Sequence, residues 1–254
     1  MAHLQKPHPL FQAERLDLES YLRSLSTILK DDLVFRSKSD VLSTRSTKGS
    51  GIGFLNRSIL EGTHPQLARL LIECKEFCPE NRIDIFYPSE DVRTGHSQGQ
   101  SNRLNDFYEI DSKIFRRDSS LPSDYLIDDE CSPEDYTDKI LALSDRSSIT
   151  HQIFVAMSQR PETQRFTVRF QDRLIAAASY TLIEGGILKL SGVQVDEEYR
   201  NQGLQKILIK HRIHHAFDRF DFDKIYSIAK RDSVSGKNLE KMGFIRSAVF
   251  EFGP

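Results

Sequence analysis

Residues 188–205 read LKLSGVQVDEEYRNQGLQ, and this stretch carries the strongest structural signal in the chain. Its apolar residues predict a strand that ends near Val195, after which a charged loop follows. Gly203 then stands directly before an amphipathic segment that predicts a long helix. A strand, a loop with a glycine and a helix N-terminus together suit a pyrophosphate, because the first helical turn presents unpaired N–H groups and the positive end of the dipole.

Two residues of the loop strengthen this interpretation. Arg200 adds a positive charge, and Gly203 has no Cβ that would keep a phosphate away from the backbone. A second glycine-rich run, GSGIG at 49–53, has neither the G-x-G-x-x-G spacing nor the Gly-Lys-Ser/Thr ending of known phosphate loops. We therefore interpret that run as a turn.

Composition narrows the class of protein. The chain has 254 residues and a formal net charge of −2, so it suits one large domain or two modest ones. A near-neutral balance argues against a dedicated nucleic-acid binder, which normally carries a basic excess. No apolar stretch approaches the length of a membrane span, and the first residues lack the apolar core of a signal peptide. We expect a cytoplasmic protein that binds neither nucleic acid nor membrane; its oligomeric state stays open.

The cysteines and histidines do not predict a metal site. Cys74 and Cys78 lie one helical turn apart, but no C-x-x-C motif is present, so we interpret them as packing residues. The run HRIHH at 211–215 lacks the glutamate of the H-E-x-x-H zinc motif. We interpret its histidines as solvated residues of a helix, and we expect neither a metal nor a disulfide scaffold.

The sequence of the N-terminal part predicts two helices and a strand. Apolar spacing indicates helices over 10–30 and 65–77 and a strand over 82–87, while the Ser-, Thr- and Gly-rich stretch 36–53 predicts a loop.

The polar segment 88–103 marks the domain boundary. We expect a smaller N-terminal subdomain over residues 1–95 and a main domain over 104–254.

The sequence of the main domain predicts three helices, then three strands, and then helix, strand, helix and strand. The helices are expected over 104–115, 133–143, 146–157, 204–220 and 233–242. The strands are expected over 165–171, 173–183, 187–195, 224–229 and 244–250.

A second informative segment, DSVSGKNLEKMGF, spans residues 232–244. Ser235 and Asn238 are three residues apart and therefore share one face of the predicted helix. Leu239 and Met242 share another face, which can pack against a sheet. The helix is expected to stop at Gly243.

Together the two segments resemble the GNAT acetyltransferases. Arg200-x-x-Gly203-x-Gln205 after a strand is similar to motif A of that family, an Arg/Gln-x-x-Gly-x-Gly/Ala loop, although Gln205 stands where the pattern has a small residue. The helix that ends in Met-Gly-Phe resembles motif B. The variant S-x-x-N-L-E-x-x-G-F, with Gly-Leu-Gln in the loop, looks like a bacterial subgroup of the family. The likeness is specific over 187–246 and loose over 50–90.

The resemblance implies a fold and an activity. The fold is α/β (α+β), with a central mixed, mostly antiparallel sheet that splays at the cofactor strand and is flanked by helices. A smaller N-terminal α/β subdomain precedes it, and we regard this as a candidate degenerate GNAT-like half. The implied activity is transfer of an acetyl group from acetyl-CoA to an amine by direct attack, without a covalent acyl-enzyme.

The resemblance also implies which residues bind acetyl-CoA, the co-substrate. Backbone N–H groups at Val193, Gln194 and Val195 would pair with the pantetheine amides. Ser235 and Asn238 would face the pantetheine or the 3′-phosphate region. The pyrophosphate would lie on the loop formed by Arg200, Asn201, Gln202, Gly203, Leu204 and Gln205.

The proton-transfer groups are less well defined. Many GNAT enzymes have a tyrosine acid in motif B, whereas this chain has Leu239 at that position. Ser235 with a water molecule, or unassisted departure of the thiolate, would replace it. Glu184 is the best-placed carboxylate for a general base, although it is also what an ordinary turn beside Gly185 would carry. The acids at 196–198 are interpreted as solvated.

Two other functions stay open at this point. Leu239 and the undefined base also suit a non-catalytic CoA-binding regulatory module of the same fold, and a weaker alternative is an interaction scaffold that keeps the fold alone. The acceptor, a small-molecule amine or a protein amine, comes from variable loops and is not predicted. Loop 116–132 carries acids that could attract an amine, but a solvated loop explains them equally well.

Overall fold

A computed structural model of the chain describes residues 7–38, 41–47, 55–78, 82–88, 104–115, 125–142 and 145–252. The GSGIG run and residues 89–103 of the predicted boundary segment lie outside these described residues. The chain forms two compact units, Met1–Phe107 with Ser247–Pro254, and Tyr108–Arg246. No helix among the described residues is both long and apolar enough to cross a membrane.

Unit 1 consists of a helix, a strand meander and a β-α-β connection. Its elements are α1 (Pro9–Leu29), β1 (Val34–Lys38), β2 (Val41–Arg45), β3 (Arg57–Glu61), α2 (Leu67–Phe77), β4 (Arg82–Tyr87), the first half of β5 (Leu104–Asp111) and most of β11 (Ile245–Phe252). The strand order is β1-β2-β3-β4-β11-β5. β1, β2 and β3 are antiparallel, β3 and β4 are parallel, and β11 is antiparallel to β4.

Unit 2 contains two helices, a strand meander, and then alternating helices and strands. Its elements after β5 are β6 (Leu126–Asp128), α3 (Pro133–Leu141), α4 (Ile149–Ser158), β7 (Thr163–Phe170), β8 (Arg173–Ile183), β9 (Ile187–Val195), α5 (Leu204–Phe217), β10 (Lys224–Lys230) and α6 (Val234–Lys241). The strand order is β5-β10-β9-β8-β7-β6, antiparallel from β6 to β9 and parallel between β9 and β10. This mixed, mostly antiparallel sheet with flanking helices confirms the predicted fold class.

The helix boundaries of unit 2 follow local chemistry. Ser132, Ser148 and Ser233 each accept a hydrogen bond from the backbone N–H three residues further on, which is the N-cap interaction that starts a helix. Pro133 occupies the first turn of α3. Gly243, at φ +90°, lies beyond the end of α6, where a left-handed residue terminates a helix.

The core of unit 2 lies on both faces of β8. Ala178 packs with Leu204 and Leu208 of α5, whereas Ala177 packs with Tyr136 of α3. Because successive residues of a strand point to opposite faces, α5 and α3 cover opposite sides of this strand. β8 is buried along almost its whole length for that reason.

The predicted helix over 104–115 is wrong, because Leu104–Asp111 form strand β5. Phe107, Ile110 and Ile114 have helical spacing, yet Ile114 is 69% exposed, and Leu104 and Tyr108 are buried instead. The aromatic and branched residues of this segment fit a sheet whose pairing partners are remote in sequence.

The predicted loop over 36–53 is also partly wrong, since it contains the end of β1 and all of β2. These strands were not predicted because they contain polar residues, which are typical of loops. Ser43 is buried in β2, and its Oγ lies 2.8 Å from Ser58 Oγ of β3, so the hydroxyls satisfy one another across the sheet. β3 itself and the short β6 were likewise not predicted.

The last strand, β11, was expected to belong to the main domain, but most of it belongs to unit 1. β11 pairs with β4 through Val249↔Tyr87 and Phe252↔Asp84, so Ser247–Pro254 belong to the same compact unit as the N-terminal residues. The subdivision at residues 1–95 and 104–254 stays a prediction.

The histidines of α5 are not all solvated, contrary to expectation. His215 is 7% exposed; its Nδ1 lies 2.9 Å from Tyr180 Oη and its Nε2 lies 3.2 Å from Asp129 Oδ2. His211 and His215 both contact the ring of Phe166. Burial lowers the pKa of both imidazoles, and for Tyr180 it raises the pKa to about 12.

Because the pKa values of these two imidazoles are lowered, we expect the folded protein to lose stability in mild acid. A lowered folded-state pKa means that the unfolded chain takes up protons first as the pH falls below about 6.5. Each group then contributes a slope of at most about 1.4 kcal/mol per pH unit, with stability falling as the pH falls. Urea unfolding at pH 7.5, 6.5 and 5.5 measures this slope. His215→Gln, which removes one titrating group, should make the slope shallower; an unchanged slope would exclude His215 as a contributor.

Candidate functional site

The site of unit 2 begins where two parallel strands part. β9 and β10 pair from Ile187↔Lys224 to Leu190↔Ser227, and pairing ends there although both strands continue, to Val195 and to Lys230. Ser227 Oγ donates to Leu190 O at 2.9 Å, at the last paired position. Beyond this pair the two strands are no longer paired with each other, which agrees with the predicted splay; we call this unpaired stretch the opening.

Two residues of β9 direct their backbone N–H and C=O groups toward this opening. Asp196 N donates to Ile175 O at 2.9 Å, and Gln194 lies opposite Ala177 of β8. Because an antiparallel ladder alternates, Gln194 turns its N–H and C=O toward β8, whereas Val193 and Val195 turn theirs toward the opening. Of the three predicted backbone donors, Val193 and Val195 are therefore the two that face a ligand between the strands.

A β-bulge interrupts β9 at the start of the opening. The register with β8 shifts between Ala177 and Ser179, which places one extra residue of β9 opposite Ala178. Gly192 lies in the bulge at φ +54°. A Cβ at Gly192 would overlap Tyr136 Oη and lie 2.9 Å from Ser179 Oγ, so both the backbone conformation and the close packing require glycine.

Sequence reasoning did not find the polar cluster around the bulge. Tyr136 Oη donates to Ser179 Oγ at 2.8 Å. Arg212, 2% exposed, donates from Nη1 to Ser179 O at 2.7 Å and to Ser191 O at 3.0 Å. Burial lowers the pKa of Arg212 to about 10, so the guanidinium stays charged at neutral pH, and burial raises the pKa of Tyr136. The sequence does contain one sign of this cluster, because Arg212 interrupts the apolar stripe of the predicted helix beside Ile213.

The loop after β9 is ordered by its own side chains. Arg200 Nε donates to Val195 O at 3.1 Å, and Gln202 Nε2 donates to Glu198 O at 3.1 Å. Asn201 adopts a left-handed conformation at φ +63°. Arg200, Asn201 and Gln202 are exposed, so the loop presents a cation and two amides to solvent beside the opening.

Helix α5 starts from this loop without a side-chain cap. Gly203 is the N-cap residue at φ +81°, and no side chain among the described residues accepts from the first-turn N–H groups. A Cβ at Gly203 would meet no described atom within 4 Å. The N-terminus of α5 therefore combines free space with unpaired donors and the positive end of the dipole, which suits a phosphate group.

Gln205 joins the first turn of α5 to α6. Its Nε2 donates to Ser235 Oγ at 2.9 Å, and its Oε1 accepts from Asn238 Nδ2 at 2.7 Å. The three polar residues are thus brought together, and Ser235 and Asn238 share one face of α6. The long amide at position 205, where the family pattern has a small residue, serves to hold the two helices together.

Replacing Gln205 with methionine tests this link. Gln205→Met keeps the volume but removes both hydrogen bonds, so we expect about 1–2 kcal/mol less unfolding free energy by urea denaturation. Gln152→Met is the matched control, since Gln152 Nε2 makes a single exposed bond to Ser147 O and should cost less than about 0.5 kcal/mol. Equal losses for the two variants would show that the link carries no special stability.

Glu184 is not brought to the opening. It is exposed in the turn between β8 and β9. Ile187, at the start of β9, and Gly192, at the bulge, are five strand residues apart, or about 17 Å. The strand geometry therefore gives no support to Glu184 as a base.

Two of the three acids of the loop, Asp196 and Glu198, are paired rather than merely solvated. Asp196 Oδ1 lies 2.8 Å from Lys139 Nζ, and Arg173 bridges Asp196 and Glu198. Among the described residues, no group of three His, Cys, Asp or Glu is arranged to hold a metal ion.

Comparison with known protein families shows to which family the chain belongs. The family model of the acetyltransferase (GNAT) family matches residues 107–244, which is more than half of the chain. The chain belongs to the GNAT acetyltransferase family. The resemblance drawn from the two sequence motifs is thereby confirmed, and the matched region contains the split strands, the bulge, the loop and α6.

Solved GNAT structures share the fold along nearly the whole chain. A GCN5-related N-acetyltransferase from Kribbella flavida matches with a TM-score of 0.62 and 12% identity, covering 96% of this chain and 93% of that one. A tandem GNAT protein from the clavulanic acid biosynthesis pathway, solved without AcCoA, matches with a TM-score of 0.62 and 9% identity, over 96% and 94%.

A third structure, an acetyltransferase of the GNAT family from Novosphingobium aromaticivorans, has a TM-score of 0.54 and 17% identity, over 97% and 99% of the two chains. At these identities the likeness concerns the fold alone. A comparison with curated protein sequences finds no match.

Proposed function

We propose that unit 2 transfers an acetyl group from acetyl-CoA to an amine acceptor by direct attack. The observation that carries the proposal is the parting of β9 and β10 directly before the uncapped N-terminus of α5. A pantetheine chain needs amide partners along an extended strand, and a pyrophosphate needs N–H donors. The opening places the two kinds of partner next to each other on one continuous segment.

The chain's own groups offer candidate partners for each part of the co-substrate. The N–H groups of the first turn of α5 would hold the pyrophosphate, with the Arg200 guanidinium kept nearby by its bond to Val195 O. Val193 and Val195 would pair with the pantetheine amides in the manner of an added strand. Acetyl-CoA supplies an activated acyl group as a thioester, and the strand holds that group in a defined orientation for the amine.

Ser235 is the proposed proton donor. Its Oγ accepts from Gln205 Nε2, so its own hydroxyl hydrogen is directed elsewhere and can pass to a departing thiolate while a water molecule returns a proton to the serine. Leu239, at the position of the family's tyrosine, is 3% exposed and belongs to the core. Glu184 stays a prediction without geometric support, and removal of the amine proton through water is the alternative.

Isothermal calorimetry of the full chain tests the binding half of the proposal. The ligands are acetyl-CoA, CoA, 3′-dephospho-CoA and pantetheine. We expect one acetyl-CoA per chain, with pantetheine far weaker because it lacks the pyrophosphate. A folded protein that binds none of these ligands at high micromolar concentration would remove the proposal.

Release of free thiol in the presence of an amine panel tests the catalytic half. The second candidate function, a non-catalytic CoA-binding regulatory module, is favoured by one observation, the buried Leu239 in place of a phenol. Binding without thiol release for any amine would favour that module. Specific turnover with one class of amine would exclude it and identify the acceptor class.

We further infer that unit 1 is a degenerate GNAT-like half. The antiparallel strands β1, β2 and β3, followed by α2 and the parallel strand β4, repeat the connectivity of β7, β8, β9, α5 and β10. In unit 1 the parallel pairing continues from Arg57↔Arg82 to Glu61↔Phe86, and Gly62 N then donates to Phe86 O at 2.6 Å. The strands that part in unit 2 stay closed here, which supports a single acetyl-CoA per chain.

A further inference from the structure

The bulge of β9 is held from one face by hydroxyl groups. Tyr136 Oη, on α3, donates to Ser179 Oγ at 2.8 Å. Ser179 Oγ is in turn 3.2 Å from Ser191 O and 3.3 Å from Ser191 Oγ. Ser191 is the first residue of β9 beyond the last pair with β10. A chain of hydroxyls therefore runs from the buried phenol to the start of the opening.

A buried cation holds the same bulge from the opposite face. Arg212 projects from α5, which covers the other side of β8, and donates to the carbonyls of both Ser179 and Ser191. Its Nε donates to Leu208 O. Within the described part of the chain, all its hydrogen-bond acceptors are backbone carbonyls. Burying a guanidinium against neutral acceptors costs stability, so packing alone does not explain an arginine here.

The cation acts on a particular peptide group. Ser191 C=O, which accepts from Arg212, belongs to the same peptide unit as Gly192 N–H. A carbonyl that accepts from a charged donor polarises its peptide and strengthens the N–H of that unit as a donor. Tyr136, whose hydroxyl lies where a side chain at Gly192 would be, fixes where this peptide lies.

We propose that Tyr136 and Arg212 are positioning residues that fix the β9 bulge so that the N–H of Gly192 binds the acyl carbonyl of the thioester. The inference rests on the proposed function. It assigns the two side chains to the acyl end of the co-substrate, whereas the loop at Arg200 and the N-terminus of α5 serve the nucleotide end. The two ends can therefore be separated by experiment.

The experiment compares the affinities of acetyl-CoA and CoA for the wild type, Tyr136→Phe and Tyr180→Phe. Tyr180 is the control, since it is also buried, but its side chain lies on the other face of β8 from Ser179 and its hydroxyl bonds to His215 instead of to the bulge. In Tyr136→Phe we expect the affinity for acetyl-CoA to fall about five- to tenfold relative to that for CoA. In Tyr180→Phe the ratio should stay at the wild-type value.

A second readout does not depend on a ligand. Amide hydrogen exchange at Gly192 and Val193 in the free protein should be faster in Tyr136→Phe and unchanged in Tyr180→Phe, because only the first loosens the bulge. Where transfer activity is measurable, kcat should fall in Tyr136→Phe with little change in the KM for acetyl-CoA.

The outcomes are distinguishable. A wild type that binds neither ligand overturns the proposed function together with this inference. A wild type that binds both, with the same affinity ratio and the same exchange at Gly192 in both tyrosine variants, overturns the inference alone. If Arg212→Met, which removes the charged donor but keeps a long side chain, folds and yet shifts the ratio no more than Tyr180→Phe does, Arg212 has no positioning role.

Discussion

Replacing Gly203 with glutamate should weaken acetyl-CoA binding by about 100-fold or more. The carboxylate would occupy the open space beside the first turn of α5, where the pyrophosphate is expected to lie, and would repel it. The fold should survive, because an acidic side chain is favourable at a helix N-terminus and offsets part of the strain at φ +81°. Calorimetry with acetyl-CoA measures the loss, and urea unfolding verifies that the variant is folded.

Gly203→Ala is the matched control. It introduces the same backbone strain, since both substitutions place a Cβ on a left-handed residue, but adds neither charge nor reach. We expect its affinity to fall only about two- to fivefold. Equal affinities for the glutamate and alanine variants would mean that the anion does not lie at this helix terminus and that the loop has been misassigned.

Replacing Gly192 with alanine should destabilise unit 2 by about 3 kcal/mol or more. The added Cβ would overlap Tyr136 Oη and crowd Ser179 Oγ, and the residue would also be held at φ +54°. The bulge cannot give way easily, because Arg212 fixes the neighbouring carbonyl of Ser191 from the other face. Urea or thermal unfolding measures the loss.

Two comparisons separate the strain from the clash. Gly185→Ala also places a Cβ on a positive φ, +93°, but with nothing within 4 Å, so it should cost only about 1–2 kcal/mol. In the Tyr136→Phe background, Gly192→Ala should cost at least about 1 kcal/mol less than in the wild type, because the overlapping hydroxyl is gone. Additive effects of the two substitutions would show that Tyr136 does not crowd the bulge.

The two positioning residues show why a sequence motif describes only part of a GNAT site. Motif A locates the N–H donors of the proposed nucleotide end, since strand, glycine and helix follow one another within a single short segment. The proposed acyl end would depend instead on Tyr136, Ser179 and Arg212, which come from three separate elements. Their proximity follows only once β8 and β9 have paired with a one-residue shift.

The strands that the sequence did not reveal share a physical cause. β5 was mistaken for a helix because Phe107, Ile110 and Ile114 have helical spacing, and only its place among other strands decides which side chains are buried. β2 was missed because Ser43 and Thr44, although polar, are buried against neighbouring hydroxyls and carbonyls. In both segments, partners distant in the chain override the local pattern.

By itself the sequence determined the order of elements from α3 to β11, the family, and the loop from Arg200 to Gln205, because each depends on residues close together in the chain. Only the tertiary structure decided that β9 and β10 part after Leu190, that Glu184 lies at the far end of β9, and that Gln205 reaches Ser235 and Asn238. It also placed a buried cation behind the bulge. These features depend on strand register and helix packing, which are set by contacts between distant segments and leave no periodic trace in either segment alone.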